Sequence, residues 1–138
     1  MSFLQWNVNG FYDKLGDIQF LIKQYDLDVI ALQETNLKNN NQTPKIKNYT
    51  IYNTNFFNPR RASGGVLRAI KNNLPSTKIE IDTIYQVVCA SVKLDFIYLQ
   101  ETTINPLEIQ HILSQIPKPF ILAGDFNAYN QIWGSTYN

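Results

Sequence analysis

Cysteine occurs once in these 138 residues, at Cys89, so the chain can close no internal disulfide and can build no tetrahedral cysteine site for zinc. Nowhere do about 18 apolar residues run together, which removes a helical membrane span from the expectations. The opening MSFLQWNVNG has no basic leader followed by a long apolar segment, so it does not read as a secretory signal. An intracellular, reducing setting with no membrane partner is therefore expected. Acidic residues are missing altogether between positions 35 and 79.

That acid-free stretch holds Lys38, Lys45, Lys47, Arg60, Arg61, Arg68, Lys71 and Lys78, eight of the twelve basic residues, although the whole chain carries a net charge of only +1. Segregated positive charge steers polyanions even when the total is near zero, so the block offers Arg60, Arg61, Arg68 and Lys71 as nucleic-acid contacts. A merely solvated basic face is the equal alternative. Tyr49, Tyr52, Phe56 and Phe57 lie in the same block, where sheet packing accounts for them better than base stacking. With 44% hydrophobic residues the chain can bury one core, and residues 1–138 read as a single domain.

Phe3 to Val8 is short and apolar-rich, and Asn9-Gly10 ends it as a strand followed by a turn. Leu15, Ile18, Leu21, Ile22 and Tyr25 then recur at helical spacing, and DVIALQ at 28–33 is a continuous apolar run of the kind covered on both faces. A β-α-β opening follows. After a polar loop, YTIYN, GVLRAIK, KIEID, QVVCASV and DFIYLQ read as strands separated by turn formers, in an antiparallel meander. Gly64 and Gly65 suit a tight hairpin turn within it.

Asn105-Pro106-Leu107-Glu108 is a helix start: an Asn N-cap, Pro at the first position, and a Glu placed to reach back to the cap. Ile109, Ile112, Leu113 and Ile116 form the buried stripe, and FILAGD is a further buried strand. His111, the only histidine, lies on this helix without a ligating partner in the pattern and reads as structural.

Glu34 and Asp125 each follow a buried strand, at the carboxyl ends where open α/β sheets gather binding groups. Hard cations such as magnesium take oxygen ligands of this type and keep several waters beside a substrate phosphate. Asn7 and Asn127 add neutral polar groups at two more strand ends. An Asx turn is the plain alternative for Asp125 and Asn127, and Trp6 and Trp133 fit core aromatics better than stacking platforms. The tetrapeptide Leu-Gln-Glu-Thr occurs twice, at 32–35 and 99–102, which makes Glu101 a decoy for Glu34.

Together QWNVNG, DVIALQET, ASGGV and ILAGDFNAYNQIWGS, in that order, resemble the endonuclease/exonuclease/phosphatase superfamily, and within it the apurinic-endonuclease-like domain of non-LTR retrotransposons. The resemblance implies a four-layer α/β/β/α sandwich of the DNase I-like type and Mg2+- or Mn2+-dependent hydrolysis of DNA. Glu34 would bind the metal with Asn7 beside it, Asp125 would orient or activate the attacking water, Asn127 would hold the scissile phosphate, and Tyr98 would lie near that phosphate. A retroelement role would place the protein in the nucleus.

Three departures qualify that pattern. Leu99-Gln100-Glu101 follows Tyr98 where relatives continue with proline or asparagine, Tyr129 stands where many retroelement relatives have histidine, and no Ser-Asp-His occurs. The expectation is a fold with an incomplete second half, impaired hydrolysis, and an unpaired sheet edge inviting self-association. A catalytically inactive nucleic-acid-binding remnant and a phosphatase on the same fold are the alternatives.

Overall fold

The computed structural model describes residues 1–38, 43–55, 64–92, 95–100, 105–118 and 120–125, with the backbone path alone at 95–100 and 121–125. Asn127, Arg60, Arg61, Glu101, Tyr129, Trp133, Phe56 and Phe57 lie outside these residues. The described elements run β1 (Phe3–Asn7), α1 (Leu15–Tyr25), β2 (Val29–Gln33), β3 (Tyr49–Thr54), β4 (Val66–Lys71), β5 (Ser76–Ile79), β6 (Gln86–Val92), β7 (Asp95–Gln100), α2 (Pro106–Ser114) and β8 (Phe120–Asp125).

The continuous apolar run of β2 is buried at every position because that strand sits inside a sheet, parallel to β1 and antiparallel to β4. The first sheet is ordered β1-β2-β4-β3, and the second β5-β6-β7-β8. In the second, β7 and β8 are parallel across the α2 crossover while β5, β6 and β7 are antiparallel. Thus each sheet couples one β-α-β unit to an antiparallel pair.

The middle of the chain is consequently not one meander. Val66 to Ile70 of β4 are buried on both faces, so β4 inserts between β2 and β3, and the chain changes sheet before β5. Alternation along the strands explains the layers. Ile30, Leu32, Leu67 and Ala69 face α1 and pack with Ile18, which is fully buried, whereas Val29, Ala31, Val66 and Ile70 face the other sheet and meet Val88, Ala90 and Val92. On the far side Cys89 packs against Ile112 and Ile116 of α2. The order α1, sheet, sheet, α2 is the expected four-layer arrangement. Among the described residues no helix is long and apolar enough to cross a membrane. Tyr25, which shares the helical spacing of Leu15, Ile18, Leu21 and Ile22, is 61% exposed at the last turn of α1.

Local chemistry explains the start of α2, with one revision. The Asn105 side chain accepts a hydrogen bond from the Leu107 amide at 3.0 Å, and Pro106 takes the first position. Glu108, however, accepts from the Thr83 hydroxyl at 2.6 Å, and the Asn105 N–H donates to the Tyr85 hydroxyl at 3.2 Å. Tertiary partners thus replace the reciprocal half of the capping box and tie α2 to the 82–85 turn.

Replacing Asn105 by alanine is expected to cost about 1 kcal/mol in chemical denaturation, the usual effect of losing an N-cap. At the opposite end of the first sheet, the Tyr49 hydroxyl donates to the Leu27 carbonyl, and burial raises its pKa above the ordinary value. The unfolded chain therefore releases the phenolic proton first as pH rises, so this contribution is complete below about pH 10 and declines above it. Measured between neutral and alkaline pH, the stability of Tyr49→Phe should show a shallower alkaline loss than the parent.

Candidate functional site

Strand polarity decides which residues can meet. Across the sheet interface β4 and β6 run in the same sense: the Gly65 amide, just before β4, donates to Gln86 Oε1 at the start of β6 (2.6 Å), and Arg68 Nη1 reaches the Ala90 carbonyl further along (3.4 Å). Because β2 opposes β4 and β7 opposes β6, strands β1, β2, β7 and β8 all point one way. Their carboxyl ends share one edge of the sandwich. In the first sheet that edge is the row Asn7, Gln33, Val66, Thr54, and in the second it is Asp125, Gln100, Gln86. Strands β1 and β8 approach within 8 Å between Cα atoms.

Glu34 leaves β2 at this edge in the left-handed region, with φ of 47°, and Asn9 and Asn36 beside it have φ of 43° and 51°. Three non-glycine residues in that region within one turn cluster indicate a backbone held by its neighbours. The holding contacts are specific. Gly10 N–H donates to the Glu34 carbonyl (2.8 Å), Phe11 N–H to the Thr35 carbonyl (2.9 Å), Thr35 N–H to the Gly65 carbonyl (3.2 Å) and Asn36 N–H to the Gly64 carbonyl (2.8 Å). Asn36 Nδ2 also donates to Asn9 Oδ1 at 3.3 Å, and Asn7 Oδ1 accepts from the Asn9 amide at 3.3 Å. The β1 turn and the 64–65 segment thereby clamp Glu34 from both sides, leaving its side chain half-buried at the edge.

Gln33 and Thr35 flank it and are each 1% exposed. Gln33 Nε2 and Thr35 Oγ1 have no hydrogen-bond partner among the described residues. Buried polar atoms left in this state are costly in a core and characteristic of places where a ligand or ordered water completes the network. Sequence reading passed over both because neutral residues inside an apolar motif carry no charge signal.

The donor set supports a hard cation. Glu34 offers carboxylate oxygen and Asn7 amide oxygen. Few protein ligands, all oxygen, match an ion that retains water and takes phosphate oxygens as further ligands. Asp125 ends β8 on the same edge, and Tyr98 sits on β7 opposite Val88 and Ala123 in register.

Of the basic candidates within the described residues, Arg68 and Lys71 do not join them. Arg68 points between the sheets and is 1% exposed, so it presents nothing to a polyanion, which corrects its assignment as a nucleic-acid contact. Alternation along β4 puts it on the inner face. Lys71 lies at the far end of β4, about 17 Å along the strand from Val66, paired with Asp26 at 2.6 Å. Its ammonium pKa is raised, chiefly by that hydrogen bond. The acid-free block therefore does not form one face.

Gly65 also has a different task from a tight turn, since residues 55–65 separate β3 from β4. Its φ is 89°, and an added Cβ would lie 2.7 Å from Thr35 Oγ1 and 3.4 Å from the Thr54 carbonyl oxygen. Gly65→Ala is expected to lower stability by about 1–3 kcal/mol, because both the strained φ and the close approach must be accommodated. Equilibrium unfolding in urea measures this directly, and a neutral substitution would contradict the assigned role of Gly65.

Comparison with known proteins agrees with this architecture. Over 151 aligned residues the chain is 28% identical to the probable RNA-directed DNA polymerase from transposon X-element of Drosophila melanogaster, covering 98% of this chain and 16% of that protein. It thus spans about a sixth of that relative's length. The 3′ phosphatase NExo from Neisseria bound to a product DNA hairpin has the same fold, with a TM-score of 0.68 at 16% identity, over 90% of this chain and 57% of the other. The catalytic domain of Xenopus laevis APE2 gives a TM-score of 0.62 at 14% identity, over 94% and 59%. Residues 4–138 match the pattern of the endonuclease/exonuclease/phosphatase family, and the chain belongs to that family.

Proposed function

We propose that this chain carries the metal-dependent phosphodiesterase chemistry of a retroelement endonuclease, cutting one strand of a DNA target. The observation that carries the reading is the common edge of β2 and β8, with Glu34 leaving one strand and Asp125 closing the other. Similarity to a transposon-encoded polymerase protein and to a phosphatase bound to a DNA hairpin favours nucleic acid over a small phosphate ester.

In this reading Glu34 and Asn7 hold Mg2+ or Mn2+. When bound, the ion neutralises charge that develops on the phosphoryl oxygens. Asp125 accepts a proton from the attacking water, whose oxygen forms the new bond to phosphorus as the opposite ester bond breaks. The family resemblance assigns Asn127 a hydrogen bond to a phosphate oxygen and Tyr98 a role beside the same group. The leaving oxygen takes its proton from solvent.

A supercoiled plasmid incubated with Mg2+ tests the proposal. The parent chain should convert it to the nicked circle, and Glu34→Gln should lower the rate by about 10²–10³-fold by removing charge from the metal ligand set. Asp125→Asn should lower it by a similar factor or more, about 10²–10⁴-fold, through loss of the base. Salt-sensitive duplex binding without nicking by the parent would overturn the hydrolase reading in favour of a binding module.

A further inference from the structure

Glu34 belongs to one sheet and Asp125 to the other, so their separation depends on the contacts that cross between sheets at the shared edge. Among the described residues two hydrogen bonds do so there. The Thr54 hydroxyl donates to the Val87 carbonyl at 3.2 Å, and the Gly65 amide donates to Gln86 Oε1 at 2.6 Å. The second leads directly to both halves of the site. In register Gln86 faces Gln100, and Gln100 faces Asp125, placing Gln86 and Asp125 in one row, two strands or about 10 Å apart. On the other side the Gly65 carbonyl accepts from the Thr35 amide, and the Gly64 carbonyl from the Asn36 amide, the two residues that follow Glu34.

A purely apolar residue would suffice for packing at position 86. The next inward-facing residues of β6 are Val88, Ala90 and Val92, which pack against Val29, Ala31, Val66 and Ile70 of the first sheet. Gln86 is the polar member of that series, at the rim, and its acceptor meets an amide that the left-handed Gly65 turns toward it. The buried Gly65 N–H requires an acceptor, and here the acceptor comes from the other sheet, which ties the two strand ends together.

We propose that Gln86 is a positioning residue, whose side-chain oxygen holds the Gly64-Gly65 segment, and through it the Glu34 turn, at a set distance from the Asp125 strand end. The proposal deepens the hydrolase reading and rests on it. It acts through Gly65 and touches neither metal nor phosphate. An acceptor at position 86 is the requirement, so glutamate should substitute and methionine, similar in length but lacking a strong acceptor, should not.

Two readouts test it on the full chain, with Gln86→Met and Gln86→Glu beside the parent. Amide hydrogen exchange at Gly65, Thr35 and Asn36 should quicken by about tenfold in Gln86→Met, the scale of one lost hydrogen bond, while Leu32 and Leu67 in the strand interiors stay unchanged. Gln86→Glu should restore the slow exchange. Calorimetric titration with Mn2+ should show binding weakened about tenfold by Gln86→Met. Equal acceleration at all these amides, or none at Gly65, overturns the brace. Local acceleration with unaltered Mn2+ affinity overturns its positioning role. A parent chain that binds no Mn2+ overturns the hydrolase reading and with it the purpose of the brace, while the exchange data still decide whether the brace exists.

Discussion

The structure depends on the alignment of β4 against β6 across the sheet interface. Either strand reversed would send the ends of β2 and β8 to opposite poles of the molecule, because each carries its parallel pair with it. Val66 and Ile70 of β4 meet Val88, Ala90 and Val92 of β6 between the sheets, and such packing tolerates neither a slip nor an inversion without exposing apolar surface. The site is therefore a by-product of core packing at first and of hydrogen bonds second. Core packing chooses the edge, and the turns at that edge aim individual groups.

Those turns differ in kind from the ones at the opposite pole. Asp26 and Asn48 also have positive φ, but Asp26 ends α1 in the left-handed form common to helix termini, and its carboxylate pairs with Lys71. At the carboxyl edge the left-handed residues are Asn9, Glu34 and Asn36, each bonded to the next turn. Backbone strain persists only where surroundings over-determine it, and it collects at sites that need a group held ready. Among the described residues, the buried Gln33 Nε2 and Thr35 Oγ1 have no hydrogen-bond partner, a second cost at the same edge.

Much of this was legible in the sequence wherever the cause was local. DVIALQ read as a buried strand and FILAGD as a strand because each is an unbroken apolar run, and Asn105-Pro106 read as a helix start because capping involves adjacent residues. Long-range causes were not legible. The meander divides because β4 is buried on both faces, which its own pattern does not announce until β2 and β6 are known to flank it. Glu108 could not be seen to prefer Thr83 over its own helix cap. Arg68 sits in an acid-free block and looks like a surface cation, yet strand alternation turns it inward, since charge does not by itself specify a face. Gly65 looked like half of a hairpin turn, whereas Thr35, thirty residues earlier, is what excludes a side chain there. Of the candidate site, Glu34, Asn7 and the strand end at Asp125 came from motif order, while the clamp around Glu34 required coordinates.

The central claim is that one edge gathers the ends of four strands around a single cation position. Paramagnetic broadening of amide resonances by added Mn2+ examines it without reference to catalysis. The account predicts strong broadening at Asn7, Asn9, Thr35, Asn36, Gly65 and Asp125, with Asp26 and Lys71 at the opposite pole spared. Broadening that reaches Thr35 but leaves Asp125 sharp, or that centres on Asp26, would contradict it.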